Sequence, residues 1–139
     1  MSGFRAVERS DGIWEFHFQD FKRDTTDDWV QTAMRDNRHY ANTGEHLRQI
    51  YYIESSVLPT PYASSKAIML AQKMPPNIHI STAVLVPNHA IVSVARIIVK
   101  RVPGTDYMRI FMDEDLAEAW LEQRHQEYVG QLPGQRVEP

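Results

Sequence analysis

The stretch that most constrains the fold is residues 47–74, LRQIYYIESSVLPTPYASSKAIMLAQKM. Ile50, Tyr51, Tyr52 and Ile53 are consecutive β-favouring residues, the pattern of a strand covered on both faces rather than exposed on one. A short polar turn carrying Ser55 and Ser56 follows, then a corner bounded by Pro59 and Pro61. Thr60 is an N-cap type and Pro61 suits a first helical position, so a helix is predicted from there. Ala63, Ala67, Leu70, Ala71 and Met74 form its apolar stripe, and Pro75-Pro76-Asn77 ends it. Strand-to-helix junctions of this kind are where open α/β sheets hold their ligands. Ser55, Ser56, Thr60, Ser64 and Ser65 are therefore the candidate partner or phosphoacceptor site.

The flanking sequence extends the pattern in both directions. Phe4 to Glu8 alternates, Asp11-Gly12 is a turn dipeptide, and Trp14, Phe16 and Phe18 face away from Ile13, Glu15, His17 and Gln19, which predicts an opening β-hairpin with an aromatic buried face. Thr25, Thr26, Asp27 and Asp28 are capping and first-turn residues for a helix of about four turns that carries Val30, Ala33, Met34, Asn37 and Ala41 and stops at Asn42-Thr43-Gly44. Residues 78–86 read as an interior strand broken by Pro87-Asn88. Residues 89–101 are β-branched enough for a strand, yet Ser93, Arg96 and Lys100 recur at intervals of three and four, and the segment is assigned as a helix. A short strand over 107–112 and an Asp113-capped helix along Leu116, Ala117, Trp120, Leu121, Arg124 and Tyr128 complete the chain. The expectation is one α/β domain over residues 1–129, with a five-stranded, mostly parallel mixed sheet, an opening hairpin and four helices, and a disordered tail over 130–139.

Composition narrows the chemistry. At 139 residues the chain is long enough to bury a core unaided, and its net charge of -3 lacks the basic excess of nucleic-acid binders. The absence of cysteine excludes disulfides, thiol nucleophiles and thiolate metal sites, and fits a reducing cytoplasm. No signal core is visible, and no run reaches the ~18 to 20 apolar residues of a membrane span. Six glycines include neither phosphate-loop pattern, the six histidines show no paired metal-ligand spacing, and the serines sit in no nucleophile elbow. No catalytic residue, metal ligand or cofactor is assigned. Glu54 and His79, at strand ends, are the residues an enzyme reading would have to use. His39 and His46 straddle a loop and read as surface residues.

The segment 89–101 is apolar around most of its circumference, whereas a helix packed on a sheet needs a single stripe. Either it is deeply buried, or Ile91, Val94 and Ile98 belong to an interface with a protein partner or a second copy.

The Ser55-Ser56-Val57-Leu58-Pro59 turn, the Met74-Pro75-Pro76-Asn77 break and the closing FMDEDLAEAWL of residues 111–121 resemble those of STAS-like domains related to bacterial anti-sigma-factor antagonists, in particular the SpoIIAA-like, STAS/SEC14 group. That resemblance covers most of the chain. It implies a non-enzymatic regulatory or protein-interaction domain, with a small apolar or lipid-like ligand carrier of SEC14-like type as the alternative. In the phospho-switch members, an Asp-Ser-Ser-Gly-like motif opens the helix after a central strand. Here Ser55 and Ser56 follow Glu54 and precede Val57.

Overall fold

The computed structural model describes residues 2–54, 58–100 and 106–132, apart from the side chains of Val94 and Ile98. The elements follow in the order β1 (Phe4–Glu8), β2 (Trp14–Phe18), α1 (Arg23–Thr43), β3 (His46–Ile53), α2 (Pro61–Gln72), β4 (His79–Leu85), α3 (His89–Lys100), β5 (Met108–Phe111) and α4 (Glu114–Gln131). The strands lie side by side in sequence order, β1-β2-β3-β4-β5. β1 and β2 are antiparallel and the remaining pairs are parallel. This is the α/β architecture expected from the sequence, a five-stranded mixed sheet with four helices.

Because each parallel strand is added on the same side of the last, right-handed crossovers put α1, α2 and α3 on one face of the sheet. The core divides accordingly. Phe16, Phe18, Trp29, Ala33 and Leu70 pack under α1 and α2, while Val84, Val86, Ile91 and Val92 pack under α3. On the opposite face, α4 alone covers Ile13, Ile50 and Ala83 with Ala117 and Leu121. The central strand β3 is thus buried from both sides, which accounts for its unbroken apolar run.

Local chemistry fixes the element ends. Gly12 at φ 89° closes the hairpin and Gly44 at φ 74° caps α1, its N–H reaching the Tyr40 carbonyl; both are left-handed positions where a side chain is strained. α1 begins at Arg23, earlier than Thr25-Thr26 suggested, and spans 21 residues. Asp20 rather than a threonine organises its start, accepting from the Lys22 N–H at 2.9 Å and the Thr25 hydroxyl at 2.6 Å. Thr25 and Thr26 are buried inside the first turn. In α2 the Thr60 hydroxyl accepts from the Ala63 N–H, with Pro61 at the first helical position. Residues 89–100 are helical, started by Asn88, whose side-chain oxygen accepts from the Ile91 N–H at 3.1 Å. Asp113 caps α4 through the N–H groups of Asp115 and Leu116. α4 runs through Gly130 to Gln131, two residues into the stretch assigned to the tail, and residues 133–139 lie outside the described residues.

Candidate functional site

Beneath α2 and α3 the packing is incomplete. The sheet presents large side chains there, Phe18, Tyr51, Ile53, Met108 and Ile110, whereas the helices place small ones at the centre of their side, Ala63 and Ala67 on α2 and Ala95 between Ile91 and Val99 on α3. Large residues opposite large ones would close the space; alanines leave a cavity of about 120 Å³. Its wall is apolar. The two polar groups nearest its aromatic side are tied to each other, the Trp29 indole N–H donating to the Tyr51 hydroxyl at 3.2 Å. Burial pushes the Tyr51 hydroxyl well above the usual tyrosine range, so it is a neutral member of the wall.

Trp29, Tyr51, Ala67 and Met108 also line a second, narrower hollow of about 40 Å³ next to the cavity. Its chemistry differs. Asn37 of α1, Gln49 of β3 and Thr82 of β4 face it, and Gln49 and Asn37 are 1 % and 8 % exposed. The Thr82 hydroxyl donates to the Gln49 side-chain oxygen at 2.9 Å. Gln49 Nε2 and Asn37 Oδ1 have no hydrogen-bond partner among the described residues. An unpaired buried polar atom costs about 1–3 kcal/mol, so a donor and an acceptor left together in one hollow are a feature to be explained.

The α4 face is polar at both ends of the strands. At the amino ends, His46 Nε2 lies 2.9 Å from Ser81 Oγ and His46 Nδ1 lies 3.0 Å from His125 Nδ1. Arg124 Nε donates to the same serine oxygen at 3.0 Å. Burial, helped by the neighbouring His125, Arg48 and Arg124, pushes the His46 imidazole down to about 3; burial also lowers His125. Both rings are therefore neutral at neutral pH, and one N–H bridges them. His46, Ser81 and Arg124 line a crevice of about 410 Å³ together with His79, Asp106 and Tyr128. The chain Ser81–His46–His125 has the connectivity of an activated serine. Ser81 is fully buried, however, and its oxygen is held by both His46 and Arg124, so the network ties α4 to the sheet. At the carboxyl ends, His17 lies 2.9 Å from both Glu15 and Glu54 and stacks on Tyr52, whose hydroxyl donates to Glu114 at 3.0 Å.

The sequence-derived candidates fare unequally. Ser55 and Ser56 lie outside the described residues. The Thr60 hydroxyl is engaged twice, as the α2 cap and as a donor to the Phe21 carbonyl at 3.2 Å. Ser64 sits at the cavity wall, and Ser65 is exposed on the outside of α2. Ile91 is 2 % exposed and also lines the cavity, so it belongs to the core rather than to an outer surface; Val94 and Ile98 lie outside the described side chains, and among the described ones Ile97 is the large apolar residue of α3 that is exposed. His46, read as a surface residue, is half-buried and bonded. Gln49 and Thr82 are absent from the sequence-derived candidates, and Asn37 enters them only as a member of the α1 stripe. The available signal is polar residues at core parity: Gln49 shares a strand face with Leu47 and Tyr51, and Asn37 falls on the apolar stripe of α1.

No family model, curated protein or solved structure matches the chain. Among the described residues, no group of three or more His, Asp or Glu side chains is arranged to hold a metal ion, and no helix is long and apolar enough to cross a membrane.

Proposed function

We propose that this protein is a non-enzymatic binding domain of STAS-like kind that takes a small apolar ligand between its sheet and α3. One observation carries the reading: a cavity of about 120 Å³ with an apolar wall, set between packed clusters where alanines meet large side chains. Enclosed apolar cavities of about 150 Å³ bind molecules of benzene size, because filling them restores lost dispersion contacts, and a half-open apolar cavity of this kind also gains by covering its wall. The volume sets the ligand class to roughly six to eight non-hydrogen atoms, a single ring or a short alkyl chain. The same geometry is compatible with the regulatory role that the STAS-like resemblance implies. α3 is both part of the cavity wall and, through Ile97, part of the outer surface, so occupancy and partner binding would act on one helix.

Native mass spectrometry of the protein purified from its own host tests this, alongside an Ala95→Leu variant that fills the cavity. The expected result is a small co-purified mass on the wild type that is absent from the variant. Wild-type protein that carries no added mass and takes up neither benzene nor pentane in solution removes the proposal.

A further inference from the structure

The cavity and the narrow hollow are neighbours with shared walls, Trp29, Tyr51, Ala67 and Met108, so the hollow adjoins one end of a ligand placed in the cavity. At that end stand Gln49 Nε2, a donor, and Asn37 Oδ1, an acceptor, both on side chains more than nine-tenths buried and both without a partner among the described residues. Thr82 fixes the orientation of Gln49 by donating to its oxygen at 2.9 Å, which leaves the amide nitrogen to the hollow. Among the described residues, no charged residue lines the hollow. A buried charge without a counter-ion is far more costly than a buried neutral polar group.

We infer that the ligand is amphipathic, with a small neutral head group that accepts from Gln49 and donates to Asn37 while its apolar part fills the cavity under α3. Primary amides, alcohols and un-ionised carboxylic acids meet that requirement; ammonium groups and carboxylates do not. This inference rests on the cavity being a ligand site. It adds the class of ligand and the residues that select it. Gln49 and Asn37 then serve as specificity residues, because a head group that fails to pair them leaves two buried polar atoms unsatisfied.

The test uses pentanamide and pentane as matched probes, titrated into the full-length protein by NMR, with Gln49→Leu and Asn37→Leu as variants. The expected result is that both probes bind the wild type and that each variant weakens pentanamide about tenfold, the worth of one buried hydrogen bond, while pentane binding is unchanged or tighter. In the wild type, which needs no variant to fold, the Gln49 side-chain amide protons should shift on adding pentanamide and stay in place with pentane. Equal losses for both probes in the variants, or the same Gln49 response to both, overturns the head-group assignment and leaves the hollow as a site for ordered water, with the apolar cavity still a ligand site. If neither probe binds the wild type, the ligand reading itself falls.

Discussion

The two faces of the sheet solve the same problem with different materials. Under α1, α2 and α3 the covering is apolar and aromatic, with Phe16 flanked by Phe4 at 5.4 Å and Tyr51 at 5.2 Å, and it stops short of filling its space. Under α4 the apolar contact is narrow, centred on Ala117 and Leu121, and polar contacts add to it, among them the Ser81, His46 and Arg124 network, Tyr52 to Glu114 and Arg9 to Glu118. Non-directional packing accommodates unfilled volume without losing a specific partner, whereas a hydrogen-bonded contact is lost when either partner is removed. Under the proposed function, the incompletely packed face takes the ligand and the α4 network holds the sheet in one arrangement.

Substitutions on both faces press on this contrast. The largest effect belongs to the aromatic face at a fully packed position: Phe16→Ala should destabilise the protein by about 3–5 kcal/mol in urea unfolding, and a cost near that of an exposed site would mean the whole face is loose. On the α4 face, Ser81→Val should cost about 1–3 kcal/mol by leaving His46 and Arg124 unpaired, and double-mutant analysis with Arg124→Met should show strong coupling rather than additivity. Thr60→Ala, which removes the α2 cap and the bond to Phe21, should cost about 1 kcal/mol. Ala95→Leu goes the other way: it should raise stability by about 0.5–2 kcal/mol, since it adds methyl groups where space exists. An equal loss at Ala95 and at the packed Ala83 would erase the distinction between the faces.

The α4 face should also be the acid-sensitive one. The folded-state value of His46, about 3, lies below its ordinary 6.5, so between these values the unfolded chain takes up a proton that the folded chain refuses. Stability is therefore full above pH 6.5 and falls as pH drops toward 3, with the lowered His125 acting in the same direction. His46→Gln should flatten that part of the stability profile; an unchanged acid limb would place the sensitivity elsewhere.

Much of the architecture was legible because it is written in local signals. Thr60-Pro61, Asp113 and the Gly12 and Gly44 stops each act within one turn of the chain, and the alternation of Trp14, Phe16 and Phe18 declares a buried face without reference to any partner. The site was less legible because it depends on register and on what is missing. His46 and Ser81 meet only because β3 and β4 pair with Arg48 opposite Ser81, and α4 then brings Arg124 and His125 across from the far end of the chain. A cavity is a shortfall of volume among Ala63, Ala67 and Ala95, and no periodicity reports it. The ambiguity of residues 89–100 has the same origin: the helix is β-branched because its inner side meets Val84, Val86, Met108 and Ile110. Gln49 illustrates the remaining limit, since a glutamine within a buried strand signals a constraint without saying what satisfies it.

The cavity is tested most directly by titrating methyl-labelled protein with benzene and following the methyl resonances. The account predicts saturable shifts at Ile53, Ile91, Met108 and Ile110, none at Leu121 on the opposite face, and none anywhere in Ala95→Leu. Benzene shifts that do not saturate, or that persist in Ala95→Leu, would contradict it.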